Sequence, residues 1–286
     1  MKPVRLFLLL VFAACSCTAM AQNAKQPATF FSFDFPGATN TQATAINIGG
    51  NIVGRYTSQD GVHHGFLLTG TQFKSIDIAG ATGTDVTWIN RYDEISGSYA
   101  TSDGKSHGFV LSPGVFTTIN FPGALSTFAY GIGDNDVVVG IEYGSNEHGY
   151  SLQHGTFSSI NFPGATATYP TMVVGQSIVG GYAIGTVLQG FLLRGGVYNS
   201  IGCPGDGNVF LSGMDPAGDM VGGVNTPDGK QHGLLIQNGS CILIDFPGGS
   251  NTYANGIANS NIVGRYTDAS GKVHGFLAVG LGAGER

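Results

Sequence analysis

Charged side chains are scarce in this sequence. Asp, Glu, Lys and Arg make up 10% of its 286 residues, whereas hydrophobic residues make up 42%. A disordered chain has the opposite balance, so the composition indicates an ordered protein. The net charge is −6 and no run of basic residues follows the N-terminal segment, which argues against a nucleic-acid partner.

Helical patterns are lacking as well. No stretch repeats its apolar residues at the helical period, and the 47 glycines are unfavourable in helix interiors. The apolar run at residues 6–14 is too short to cross a bilayer, so we expect no transmembrane segment. The composition instead suits many short strands joined by glycine turns.

The beginning of the chain has the layout of an export signal. Lys2 and Arg5 precede the apolar run, and Ala19-Met20-Ala21 offers a small-residue cleavage site. These features predict a signal peptide at residues 1–21. Alternatively, Phe12-Ala13-Ala14-Cys15 resembles a lipobox, in which Cys15 would carry a lipid anchor. Either outcome predicts a secreted, periplasmic or cell-surface protein.

The rest of the sequence consists of six related copies. Phe-Pro-Gly-like and His-Gly-aromatic-like triplets each recur every 40–43 residues, a period that is typical of a repeat architecture. Triplets of the first kind begin at Phe35, Ile78, Phe121, Phe162, Cys203 and Phe246, and those of the second at His64, His107, His148, Gln189, His232 and His274.

Each copy is predicted to contain four short strands. In the first copy we expect them at residues 43–48, 52–58, 64–68 and 73–78, separated by turns that contain glycine. Four antiparallel strands in about 42 residues are the size of one β-propeller blade.

The two ends of the repeat region complement each other. The mature chain starts with a spare fourth strand at residues 30–35 and stops after a third strand at residues 274–277. Pairing these segments would close the ring and remove an exposed sheet edge, whereas an open β-solenoid has no use for this offset. We therefore predict one all-β domain, a six-bladed propeller of four-stranded antiparallel blades over residues 22–280, with a flexible tail at residues 281–286.

The copies resemble the bacterial extracellular repeats called the HAF family. Those repeats have the form Ile-Asn-x-x-Gly-x-Val-Val-Gly followed by Gly-x-x-His-Ala-Phe, and this chain matches them with Ile46-Asn47, Ile52-Val53-Gly54 and His64-Gly65-Phe66. Glycine stands where the family has alanine, and the fourth copy has Gln189 in place of histidine. The resemblance implies an exported bacterial propeller and carries no activity with it.

Motifs for catalysis are missing. The sequence has no Gly-x-Ser-x-Gly, no His-Glu-x-x-His and no P-loop. The repeated histidines occupy one equivalent position per blade, too far apart to share a metal. We therefore interpret them as structural residues that bond loop backbone groups, and His63 as a solvated turn residue. We predict no metal and no cofactor, and the catalytic residues, if any exist, are unknown.

One copy departs from the others at Trp88, the single tryptophan. It stands on an inner strand where other copies have alanine or glycine, and Asp85 lies near the start of the same strand. An aromatic plate beside a carboxylate could stack on a sugar and hydrogen-bond it, which makes Trp88 and Asp85 candidate ligand-binding residues. The alternative, which we favour for Trp88, is that it fills a gap between two blades.

Two functions remain open. The first is a non-enzymatic, monomeric propeller that binds a carbohydrate, an envelope component or another protein. The second is a metal-dependent hydrolase or lactonase with its site at the channel mouth. A cluster of polar side chains near the axis would favour the enzyme, but the inner strands and the loops before them supply only Asn40, Asp85, Asp206, Asn208 and Asn251. We favour the binding protein.

Cysteine is rare, and two of the four cysteines lie in the predicted signal peptide. Export favours a disulfide between the remaining pair, Cys203 and Cys241. However, the predicted register places one at the end of an outer strand and the other near the beginning of the next outer strand. Five residues of strand span roughly 16 Å, so we predict that these cysteines stay unbonded within a monomer.

Overall fold

The computed structural model describes residues 28–144, 147–203, 207–227 and 229–281. Within these ranges the chain forms six sheets, each of four antiparallel strands. The predicted signal peptide lies outside the described residues, as does all of the predicted tail except its first residue. None of the described residues belongs to a helix that is long and apolar enough to cross a membrane.

Each sheet is one blade, and its strands follow one another from the innermost to the outermost. Blade 1 contains β2 (Asn40–Ile46), β3 (Ile52–Thr57), β4 (His63–Thr69) and β5 (Gln72–Ile76). Blade 2 contains β6 (Gly83–Ile89), β7 (Ile95–Ala100), β8 (Ser106–Ser112) and β9 (Val115–Ile119). Blade 3 contains β10 (Ser126–Ile132), β11 (Val138–Tyr143), β12 (Glu147–Gln153) and β13 (Thr156–Ile160). Blade 4 contains β14 (Ala167–Val174), β15 (Ser177–Ile184), β16 (Val187–Arg194) and β17 (Val197–Ile201). Blade 5 contains β18 (Val209–Met214), β19 (Met220–Asn225), β20 (Gln231–Gln237) and β21 (Ser240–Ile244). Blade 6 contains β22 (Asn251–Ala258), β23 (Asn261–Thr267) and β24 (Val273–Val279), and its outer strand is β1 (Thr29–Phe33).

The predicted six-bladed propeller and its closure are confirmed. β1 pairs antiparallel with β24, from Thr29 opposite Val279 to Phe33 opposite Gly275. The first strand of the described chain thereby completes the last blade. Because every outer strand now belongs to a full blade, the ring closes by the pairing that the offset between the chain ends predicts.

The core lies between neighbouring blades. At one equivalent position, each third strand carries a large apolar side chain with no exposure to solvent, namely Phe66, Phe109, Tyr150, Phe191, Leu234 and Phe276. In blade 1 the ring of Phe66 lies over Gly54 of β3. A Cβ added to Gly54 would collide with the backbone carbonyl oxygen of Gln42 on β2 and would lie 2.8 Å from that ring. The equivalent Cβ in each of the other five copies would also collide with a carbonyl oxygen of the inner strand, which explains why glycine follows the apolar pair in every copy.

Side chains on the inner strands tie the blades to one another. The hydroxyl of Thr44 donates to the carbonyl of Val86 in the next blade (3.0 Å), and Thr87 repeats this contact with Ala129 (2.8 Å). The amide of Asn255 donates to the carbonyl of Ala43 (2.7 Å), which continues the series across the closure. These bonds hold the inner strands at fixed separations and so define the central channel.

The prediction about the cysteines is wrong. Cys203, just after β17, and Cys241, the second residue of β21, form a disulfide between blades 4 and 5, with a Cα–Cα distance of 6.0 Å. The other blades have an aromatic or apolar pair at the same two positions. Ring centroids lie 5.4 Å apart for Phe35 and Phe73, 5.0 Å for Phe121 and Phe157, 5.5 Å for Phe162 and Tyr198, and 5.7 Å for Phe246 and Phe30.

The error comes from the twist of the blade. The prediction treated all strands as parallel to the ring axis, but adjacent strands in a sheet are rotated by roughly 20–25°. Over three steps the outer strand is inclined by roughly 60–75° to the inner one. The first residues of each outer strand therefore lie close to the segment that follows the outer strand of the preceding blade. The disulfide occupies the position at which the other blades have a contact between two side chains.

Replacing both cysteines tests this equivalence. We expect Cys203→Ala/Cys241→Ala to lower the free energy of unfolding by about 2–4 kcal/mol, the usual effect of losing a native disulfide. Cys203→Phe/Cys241→Phe restores the ring pair of the other blades and should lower the free energy of unfolding by less. Urea unfolding with and without reductant measures both. If reductant leaves the midpoint of the unaltered protein unchanged, the bond contributes nothing to stability.

Candidate functional site

A cavity of about 370 Å³ lies on the ring axis, at the face where the inner strands begin. Alternate residues of a strand point to the same side, so two positions of each inner strand face the channel. The first of these positions is the third residue of the inner strand, or the second in β18, and it supplies the wall nearer the face where the strands begin. The other lies two residues later and supplies the wall deeper in the channel. The residues at these positions that line the cavity are Gln42, Thr44, Asp85, Thr87, Tyr130, Tyr169, Thr171, Phe210, Ser212, Tyr253 and Asn255.

Trp88 forms the floor of the cavity. The inner strand of blade 2 has a bulge between Val86 and Trp88, which turns the indole towards the axis. Trp88 is 4% exposed, and a Cβ added to Gly213 of blade 5 would lie 2.9 Å from its Cη2 atom. Because blades 2 and 5 face each other in a ring of six, the indole spans the channel. It separates this cavity from one of about 70 Å³ towards the opposite face.

The structure brings the two predicted ligand-binding residues to one cavity, with Asp85 on its wall and Trp88 on its floor. The gap that Trp88 fills lies on the axis, between blade 2 and the opposite blade 5. Asp85 also borders a second cavity of about 350 Å³, between blades 1 and 2. There His63 begins β4 with its Nδ1 atom 3.6 Å from Asp85 Oδ1, so it is a strand residue and not a turn residue.

Blades 6, 1 and 2 make one side of the cavity polar. Arg55 of β3 reaches the next blade and donates from Nη1 to Asp85 Oδ1 (3.2 Å). Arg265 of β23 likewise reaches into blade 1 and donates from Nη1 to Gln42 Oε1 (3.3 Å). The same Gln42 oxygen accepts from Arg55 Nη2 (3.3 Å). Two guanidinium groups thus share one neutral acceptor.

Blades 3 to 5 add the aromatic side chains of Tyr130, Tyr169 and Phe210 together with the hydroxyls of Thr171 and Ser212. Tyr253 of blade 6 is the fourth aromatic residue of the wall and lies where the two sides meet, under the guanidinium of Arg265. Burial raises the pKa of Tyr253 to about 12, and burial likewise raises the pKa of Tyr130 and of Tyr169. In Tyr169 a hydrogen bond from its hydroxyl to Glu147 Oε2 (2.7 Å) adds to the rise. These phenols therefore remain neutral near pH 7.

Arg55 and Arg265 do not stand out in the sequence. A single copy that departs from the rest is conspicuous, as at Trp88, whereas these two arginines agree with each other and occupy the same position in copies 1 and 6. Blades 4 and 5 have glycine there, and a Cβ added to Gly181 or Gly223 would strike the ring of Phe210 or Tyr253 in the next blade. The sequence does carry a signal, because the residue type at this position changes together with the channel-facing residue one copy later.

The repeated histidines bond side chains and not backbone groups. Nδ1 of His64 lies 2.6 Å from Asp77 Oδ1 and its Nε2 lies 3.1 Å from Ser58 Oγ. An acidic or amide side chain takes the place of Asp77 in the copies of His107, His148, His232 and His274. Where Gln189 replaces histidine, the residue thirteen positions later is Gly202, so the two positions change together. This pair of a histidine and an acidic or amide side chain recurs in five blades and holds the end of the outer strand against the third strand, as expected for a structural residue.

Other polar residues of the inner strands do not converge on the axis. Asn40, Asn208 and Asn251 accept backbone N–H bonds from the third strand of the preceding blade, with distances of 3.0, 3.0 and 3.1 Å. Asp206 lies outside the described residues. Among the described residues, no three His, Cys, Asp or Glu side chains are close enough to hold a metal ion.

Comparison with known proteins identifies the fold. Neither a protein-family model nor a curated protein matches the sequence. A protein described as TolB from Agrobacterium tumefaciens superposes with a TM-score of 0.62 and 13% identity, over 87% of this chain and 96% of that one. TolB from Acinetobacter baumannii superposes with a TM-score of 0.53 and 10% identity over 81% of this chain. The match covers 64% of the length of that TolB chain. The lectin of Aleuria aurantia, solved in complex with Fucα1-6GlcNAc, gives 0.54 and 12% over 84% of this chain and 91% of that one.

Proposed function

We propose that this chain is a non-catalytic binding protein that holds a carbohydrate in the axial cavity. The observation that carries the proposal is the division of the cavity into a polar side and an aromatic side. A sugar ring has apolar C–H faces that stack on aromatic rings and hydroxyl groups that hydrogen-bond polar side chains. The volume of about 370 Å³ lies at the small end of the range for ligand pockets.

The charge arrangement favours binding over hydrolysis. Most enzymes that hydrolyse glycosidic bonds use two carboxyl groups that flank the bond. Within the described part of the chain the cavity wall holds one carboxylate, Asp85, and the guanidinium of Arg55 already engages it. A carboxylate held in an ion pair orients a ligand better than it transfers a proton.

Export and repeat family form part of the same proposal. The disulfide between Cys203 and Cys241 supports an oxidising compartment, where such bonds persist. The N-terminal export pattern and the resemblance to the HAF repeats point the same way. We therefore propose a secreted, periplasmic or cell-surface protein that acts as a monomer. The lectin of Aleuria aurantia offers an analogy from the same fold.

Fluorescence provides a direct test, because Trp88 is the single tryptophan and lies at the floor of the cavity. After a glycan array identifies candidate sugars, each is titrated while the Trp88 emission is recorded. We expect a saturable change. Tyr169→Ala should weaken binding by about tenfold or more, equivalent to about 1.4 kcal/mol.

Tyr92→Ala is the matched control. Tyr92 is 57% exposed in the turn between β6 and β7, at the opposite face of the ring. It should leave the affinity unchanged, while circular dichroism confirms that both variants fold. An array without a binding sugar, or equal affinity in all three proteins, would overturn the proposed function.

A further inference from the structure

The cavity has a charge of opposite sign to the rest of the protein. The chain as a whole carries a net charge of −6. In contrast, the charged residues on the described cavity wall are Arg55, Arg265 and Asp85, which leave a net positive charge. A positive cavity in an acidic protein attracts an anionic ligand and excludes competing positive groups.

The excess charge is located at Arg265. Arg55 has a carboxylate partner in Asp85, at 3.2 Å. Arg265 meets the neutral oxygen of Gln42 and the ring of Tyr253, whose centroid lies 5.2 Å from its Cζ atom. None of the described carboxylates forms an ion pair with Arg265.

Two features leave this charge poorly compensated by the protein itself. Burial lowers the pKa of Arg265, and the nearby positive charge of Arg55 lowers it further. Both arginines approach the same Gln42 oxygen, and of the two only Arg55 has a second side-chain acceptor among the described residues, Asp85. A carboxylate is the group that a guanidinium fork binds most strongly, by two parallel charge-assisted bonds.

We propose that the ligand is an acidic saccharide whose carboxylate binds Arg265 beside Gln42, with its ring against the aromatic side of the cavity. This inference rests on the proposed function, because it names the class of carbohydrate that the cavity takes. Asp85 already balances Arg55, so the site matches a ligand with one negative charge. A monoanionic sugar acid fits this balance better than a sugar phosphate, which carries up to two charges.

Pairs of probes that differ in one group test the proposal. Galacturonate and its methyl ester have the same ring hydroxyls, but only the first has a free carboxylate. A disaccharide that contains N-acetylmuramic acid and its carboxyl-reduced form separate a cell-wall source from a uronic-acid source. We expect at least one acidic probe to bind tenfold or more tightly than its neutral partner, and to weaken as salt increases.

Two substitutions are expected to act in opposite directions. Arg265→Gln should lower the affinity for the acidic probe by about tenfold to a hundredfold and leave the affinity for its neutral partner nearly unchanged. Asp85→Asn frees Arg55 and should strengthen the binding of the acidic probe. Arg194→Gln is the matched control, because it removes the same charge from the exposed end of β16, where Arg194 donates to Ser177 Oγ (2.8 Å).

The outcomes separate the two proposals. If neutral and acidic probes bind equally and Arg265→Gln weakens both alike, the inference about the acid is wrong while the carbohydrate function stands. If no saccharide of either kind binds, both are wrong. Should Arg265→Gln fail to fold, Arg265→Lys keeps the charge without the planar fork, and the preference for the acid should persist with reduced affinity.

Discussion

A chain that begins at Phe35 is expected to lose cooperative folding. Such a chain lacks β1, so β24 becomes an unpaired edge of blade 6. The loss also removes two contacts of half-buried rings, since Phe30 packs edge-on against Phe246 (5.7 Å) and Phe33 against Phe66 (6.5 Å). Truncating one fully buried aromatic costs about 3–5 kcal/mol, and whole domains are stable by about 5–15 kcal/mol, so losing a whole strand with two half-buried rings removes a large part of the stability.

Electrostatic contacts at the closure disappear with the same deletion. Asp34 accepts a hydrogen bond from Lys272 Nζ (2.8 Å) and lies 3.0 Å from His274 Nδ1. The exposed edge of β24 would then offer unpaired N–H and C=O groups to other molecules, which favours aggregation.

Size-exclusion chromatography and thermal unfolding measure this effect. A chain that begins at Ala28 keeps β1 and serves as the control. A synthetic peptide of residues 28–35, added to the truncated chain, should restore a folded monomer because it supplies the missing outer strand. A truncated protein that remains monomeric with an unchanged melting temperature would contradict the role of β1 in closing the ring.

The architecture was predictable because it depends on period and offset, both of which are visible in one sequence. The 40–43-residue spacing fixes the number of blades, and the spare strand at residues 30–35 fixes how they close. Side-chain alternation within each copy then determines which residues face the core. None of these steps requires the distance between two blades.

Contacts between blades were not predictable in the same way. The bond between Cys203 and Cys241 depends on how far the outer strand is inclined, which follows from sheet twist and not from residue spacing. Arg55 acts on Asp85 of the next copy, and Trp88 reaches Gly213 three copies later. A search within single copies therefore found Trp88 and Asp85 but missed the arginines that complete the cavity.

Trp88→Ala is expected to lower the free energy of unfolding by about 3–5 kcal/mol, as large aromatic truncations in a core do. The indole is 4% exposed and is the group that separates the cavities of about 370 and 70 Å³. Its loss leaves an opening along the axis that neighbouring side chains cannot fill, because the inner strands are fixed by hydrogen bonds such as that from Thr87 to Ala129.

A second substitution shows whether the indole acts by spanning the channel. Gly213→Ala places a methyl group 2.9 Å from Trp88 Cη2, so we expect it to destabilise the unaltered protein. Trp88→Phe has a shorter ring, and Gly213→Ala should cost less in that background. Urea unfolding followed by circular dichroism gives the free energies for the unaltered protein, the two single variants, the double variant and Trp88→Ala. If Trp88→Ala unfolds within about 0.5 kcal/mol of the unaltered protein, as surface substitutions do, the indole is not part of the core and its role is confined to the ligand.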